Sequence, residues 1–193
     1  MNNTFYFIFF IDVSGSMFGK NISVVNAALT ECINSLQLAH TGHYSNIQLG
    51  IFSFGEKVYE VVHLRPICDI DSPLIRVVPD REGFYSLSSY TCLYNGMERL
   101  FQNLKFDTNK DNAFIFIATD GKSTDSKNDT IVKNLKRFPI YQKALKYIAI
   151  TDGDVKNLKA DVLAFVDGVT DNIIPLDQLP DMIAKLQVLL ENS

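Results

Sequence analysis

Cysteine is scarce in this sequence, with only Cys32, Cys68 and Cys92 among 193 residues. An odd count at long spacings makes neither a disulfide framework nor a zinc site, and it suits a reducing compartment, the cytoplasm. The three histidines, His40, His43 and His63, follow no ligand spacing and read as loop or surface residues. Basic residues are outnumbered, 18 Lys and Arg against 22 Asp and Glu. A broad nucleic-acid surface is thereby excluded, because phosphate binding needs a concentrated basic face. No apolar run reaches the length of a membrane span. The run Phe5 to Ile11 has no Lys or Arg before it, no small-residue cleavage site after it, and Asp12 directly behind it. It reads as a buried strand and not as a signal peptide. Linkers, low-complexity tracts and repeats are missing too. What is present is an ordinary globular composition, 47% hydrophobic and 21% charged. That is enough for one domain, residues 1–193, to fold without metal or disulfide.

The order of elements follows from periodicity. Phe5 to Ile11 and Ala113 to Ala118 are continuous apolar runs, the pattern of strands covered on both faces, and Leu145 to Ile150, interrupted by Lys146, reads as a third such strand. Ile47 to Phe54 is a further strand. Gly55-Glu56 then leaves room only for a tight turn, so Lys57 to Leu64 predicts an antiparallel edge strand. Helical stripes run through Val25, Ala28, Leu29, Cys32, Ile33 and Leu36, with Thr41-Gly42 in the exit loop. Others span Thr91 to Leu104, Thr130 to Phe138 (stopped by Pro139), Lys156 to Phe165, and Gln178 to Leu190. A short strand falls between Val166 and Ile174. Residues 65–90 have no sustained period and form the longest irregular stretch. The expected fold is α/β: a doubly wound, mostly parallel sheet with one antiparallel edge strand and helices on both faces. Lys122, Lys127, Lys133, Lys136, Lys143 and Lys146 with Arg137 make a locally basic stretch that reads as a solvated face. Cys92 reads as a buried small hydrophobe.

Chemistry gathers at the ends of strands. Asp12-Val13-Ser14-Gly15-Ser16 follows the first apolar run, Thr91 opens a helix, and Asp120-Gly121 follows the run at 113–118. In open α/β sheets ligands bind at the carboxyl ends of the strands, where the strand order reverses. If the first strand and the 113–118 strand are neighbours there, Asp12 and Asp120 face one crevice, with the hydroxyls of Ser14, Ser16 and Thr91. Such an all-oxygen set suits a hard cation, Mg²⁺ first and Mn²⁺ or Ca²⁺ after it. Gly15, Gly121, Tyr90 and Asp152 stand where they would form its rim. Taken singly, Asp12 and Thr91 are helix caps and Asp120 and Asp152 turn residues; it is the combination that points to a metal.

Asp12-Val13-Ser14-Gly15-Ser16-Met17 resembles the D-x-S-x-S element of von Willebrand factor A (VWA) domains, the first part of their metal-ion-dependent adhesion site. Thr91 resembles the second part and Asp120 the third, in the same order and strand context across essentially the whole chain. Within that family the compact bacterial tellurium-resistance-associated (TerY-like) group is the most similar. One departure is the stretch Ser88-Ser89-Tyr90, where the family often carries glycine before the threonine. The resemblance implies that the serines and threonine contact Mg²⁺ or Mn²⁺ directly or through water, and that the aspartates act through water. The ion then stays electrophilic, and a Glu or Asp of a partner protein completes its shell. It also implies a protein-interaction module in a bacterial stress-response assembly, with no nucleic acid or membrane as partner.

Two other classes compete. A metal-dependent hydrolase or phosphatase could use the same oxygen set, but phosphatases of the haloacid-dehalogenase kind carry Asp-x-Asp after the first strand. Ser14 holds the second place here and cannot act as a general acid at neutral pH. Gly15 and Gly19 do not fit G-x-G-x-x-G, and Ser16 stands one place early for G-x-S-x-G. With no catalytic constellation, the expectation is a protein that is not an enzyme. A metal-free VWA-like scaffold is the other alternative.

Overall fold

The computed structural model describes residues 3–41, 46–55, 57–71, 90–121, 129–150 and 160–191, with only the backbone described at 41, 90–91, 129–131, 160–162 and 187–191. The apolar runs form the middle of a six-stranded sheet. β1 (Thr4–Asp12) is buried at every position after Thr4, and β4 (Asn112–Thr119) at every position after Asn112. Around them lie β2 (Asn46–Phe54), β3 (Val58–Pro66), β5 (Leu145–Ile150) and β6 (Ile173–Pro175), in the order β3-β2-β1-β4-β5-β6. β3 runs antiparallel to β2, and every other pairing is parallel. The short β2–β3 connection permits only a hairpin, whereas the parallel crossovers carry helices.

Alternate residues of each central strand face two helical layers. Phe5, Phe7, Phe9 and Ile11 join Phe114, Phe116 and the apolar stripe of α1 (Lys20–Thr41), with Leu179, Ile183 and Leu186 of α6 (Leu179–Glu191). Tyr6, Ile8 and Phe10 face the other way, against Leu93, Tyr94, Met97 and Phe101 of α2 (Tyr90–Asn103). On that side Val132 and Leu135 of α3 (Asp129–Leu135), Ile140 and Tyr141 of α4 (Pro139–Lys143), and Phe165 of α5 (Ala160–Phe165) complete the layer. Phe7 stacks on Phe114 at 4.8 Å and Phe9 on Phe116 at 4.7 Å, so aromatic pairs bind β1 to β4. Each such buried ring contributes about 1.5–3 kcal/mol. Among the described residues no helix is long and apolar enough to cross a membrane.

Some local expectations change. Pro139 ends α3 only indirectly: α3 stops at Leu135, and Pro139 is the first residue of α4, where its missing N–H costs nothing. Thr41 closes α1 and is not in a loop. Cys92 is half-buried. His40 lies on α1 with its Nδ1 buried. Lys146 does not belong to a solvated face, being only 6% exposed. Its ammonium donates to the Tyr141 carbonyl at 3.0 Å and pairs with Asp167 at 2.8 Å, over the face of the Tyr141 ring. Lys143 also turns inward at its tip, donating to the carbonyls of Thr108 and Asp111.

Candidate metal centre

β1 lies between β2 and β4, and the helices on its two sides pack on opposite faces of the sheet. The carboxyl ends of β1 and β4 therefore open on the crevice where strand order reverses. Asp12 is the last residue of β1, and Asp120 follows the last residue of β4. Both carboxylates are buried, at 2% and 7% exposure.

Asp12 is held through both oxygens. Oδ1 accepts the Ser14 backbone N–H at 2.8 Å, and Oδ2 accepts the Thr119 hydroxyl at 2.8 Å. Thr119 is completely buried, and its Oγ1 in turn accepts the Gly121 N–H at 3.1 Å. The Val13 N–H donates to the Phe54 carbonyl at 2.9 Å, which ties the start of the loop to β2. Beyond it Gly15–Met17 form one 3-10 turn, closed by the Met17 N–H on the Ser14 carbonyl at 2.9 Å. Met17 is buried in the core below, and Gly19, at φ +80°, turns the chain into α1.

Ser14 stands at the cap position of that turn, yet its hydroxyl caps nothing. It lies instead 3.1 Å from the Ser16 hydroxyl. Ser14 is buried and Ser16 exposed, so the pair runs from the crevice floor to its lip. Thr91 falls in the first turn of α2, where the sequence placed it. The side chains of Thr91 and Tyr90, and all of Asp152, lie outside the described residues.

Electrostatics single out Asp12. Burial pushes its carboxyl above the ordinary 3.8; the hydrogen bonds from Ser14 and Thr119 pull it down, and the Asp120 charge pushes it up again. The two carboxylates thus feel one another in a site that already disfavours charge. A hard cation suits this donor set. Two oxygens each about 2.1 Å from Mg²⁺ in an octahedral shell lie roughly 3.0 Å apart, close to the Ser14–Ser16 separation. Among the described residues no three His, Cys, Asp or Glu side chains gather to hold a metal.

Thr119 is the site residue that sequence reasoning missed. Its signal was its place before Asp120-Gly121 at the strand end, but a threonine in a strand has an ordinary reading. Its role emerges only once β4 lies beside β1.

Residues 7–172 match the family model for the von Willebrand factor type A domain. No curated protein matches the sequence significantly. Among solved structures, proximal thread matrix protein 1 from the mussel byssus is similar at a TM-score of 0.63 and 17% identity, over 98% of this chain and 48% of that one. An aerotolerance-related membrane protein from Bacteroides fragilis gives 0.58 and 8% identity, over 97% of this chain and 99% of that one. A von Willebrand factor type A protein from Catenulispora acidiphila gives 0.57 and 12%, over 98% and 42%. The chain spans about half the length of the mussel protein. At these identities the likeness is one of fold, and none of these matches bears on the tellurium-resistance-associated group.

Proposed function

This chain belongs to the von Willebrand factor type A domain family, whose members are in general protein-interaction modules, and from that premise we propose that it grips a protein partner through a divalent cation. Asp12, Ser14, Ser16, Thr91 and Asp120 would hold the ion, Mg²⁺ or Mn²⁺. The observation that carries this is the juxtaposition at the strand ends of two buried carboxylates with the Ser14–Ser16 hydroxyl pair, of which Ser14 caps nothing. When bound, the cation supplies an electrophilic centre for a carboxylate of the partner.

The protein's own groups set the strength of that centre. Asp12 already accepts hydrogen bonds on both oxygens, which fixes its direction and leaves part of its lone-pair capacity for a water or the ion. Thr119 acts as its positioning residue. Direct contacts would come from the neutral hydroxyls of Ser14, Ser16 and Thr91, with Asp12 and Asp120 acting through water, so an incoming Glu or Asp meets an ion with no anion in its inner shell. Binding and not catalysis is the outcome, since Ser14 stands where an acid would be needed for phosphatase chemistry. A cytoplasmic setting rests on the cysteine usage, and a stress-response assembly on motif resemblance alone.

The test is capture of partners on immobilised protein, identified by mass spectrometry. Capture should occur in Mg²⁺, vanish in EDTA, and vanish in Ser14→Ala. Capture that persists under both conditions would favour a metal-free scaffold.

A further inference from the structure

We propose that Gly96 is a positioning residue for this metal centre: it lets α2 seat directly on Val58 of β3, and so sets the helix carrying Thr91 against the loop carrying Asp12, Ser14 and Ser16. The inference rests on the metal-binding reading above.

Gly96 lies in the interior of a 14-residue helix, where glycine is less favourable than alanine. Backbone conformation does not require it, because it is not among the glycines with positive φ. Space does. A Cβ on Gly96 would stand 2.6 Å from Val58 Cγ2 and 3.0 Å from both Cβ and Cγ1 of Val58. No flexible tip can move aside there. Val58 is β-branched and held near one rotamer, and its Cβ goes wherever the strand goes. The helix is not free to lift either, since Leu93, Tyr94 and Met97 are all fully buried beneath it.

The contact leads straight to the other half of the site. Val58 pairs with Phe54 across the β2–β3 hairpin. The Phe54 carbonyl accepts the Val13 N–H at 2.9 Å, and Val13 sits between Asp12 and Ser14. On the helix side, Thr91 lies five residues before Gly96, about 7.5 Å along a stiff rod. Three short links thus join the two ligand-bearing segments. A side chain at position 96 would tilt or lift α2 at its seat and carry the Thr91 backbone away from the loop.

Isothermal titration of Mg²⁺ into four proteins tests this: wild type, Gly96→Ala, Val58→Ala and the double variant. Overpacking of this kind strains the seat, and releasing Thr91 relieves it, so Gly96→Ala should bind Mg²⁺ about tenfold more weakly. Val58→Ala alone sets the baseline for the double variant, in which loss of both Cγ atoms makes room for the added methyl and should recover part of the loss. Wild-type affinity in Gly96→Ala, or no recovery in the double variant, overturns the inference and leaves the metal-binding reading intact. An absence of binding in wild type overturns both. If Gly96→Ala does not fold, Val58→Ile crowds the same contact from the strand side by one methylene. It too should bind Mg²⁺ more weakly, and unchanged affinity would count against the coupling.

Discussion

Burial of Asp12 at the end of β1 works against stability. Burial raises its pKa, and Asp120 raises it further, while Ser14 and Thr119 only partly offset this. The sign is clear. The folded state holds the Asp12 proton more tightly than the unfolded chain, so its contribution to stability falls as pH rises from the ordinary carboxylate value through the raised one. Above that window the full penalty stands. In EDTA at neutral pH, Asp12→Asn should therefore melt no lower than wild type, yet it should show no response to Mg²⁺. A large drop in its metal-free melting temperature would show that the carboxylate is structural. Asp12, Ser14 and Ser16 were legible in the sequence because they sit within five residues of one another. Thr119 was not, since its bond to Asp12 spans 107 residues. Lys146 was misread for the same reason: its partners, Tyr141 and Asp167, are assembled by packing and not by local spacing.

Elements read from the sequence in proportion to how local their causes are. Continuous apolar runs match β1 and β4 to within a residue at each end, because burial on both faces leaves little other composition, and β5 matches its expected bounds despite Lys146 within it. β6, only Ile173–Pro175, has too few residues for a pattern and exists because β5 offers it an open edge. The junction leading to β6 is pinned by Asp167, at φ 53°, which pairs with Lys146 at 2.8 Å and Lys136 at 3.2 Å. Burial works to raise the Asp167 pKa, but hydrogen bonds and charge from the two lysines outweigh it, and the net shift is downward. Its stabilisation is thus fully present above the ordinary carboxylate value and is lost as pH falls through the lowered one. Because Asp167 is substantially exposed, solvent screens the pair. Asp167→Asn should cost about 1–3 kcal/mol at pH 7, mostly by leaving the buried Lys146 ammonium without its anion. Urea unfolding at pH 7 and pH 3 checks this: the gap between wild type and variant should narrow in acid, and an equal gap at both values would place the effect elsewhere.

At the scale of the whole molecule, the sheet order makes the site possible. With β1 between β2 and β4, two strands whose sequences lie a hundred residues apart end side by side. The α/β class and the single antiparallel edge strand were legible because strand and helix signals alternate along the chain. A mussel byssus protein and bacterial proteins share this fold at 8–17% identity. What the fold leaves at the strand ends is two buried carboxylates whose mutual repulsion a cation would relieve. Thermal unfolding with and without Mg²⁺ measures that directly. A cation bound only by the folded state adds about 2.7 kcal/mol at a hundredfold excess over Kd, so millimolar Mg²⁺ should raise the wild-type melting temperature and leave Asp12→Ala unchanged. No shift in wild type, or the same shift in Asp12→Ala, would contradict a metal centre at the end of β1.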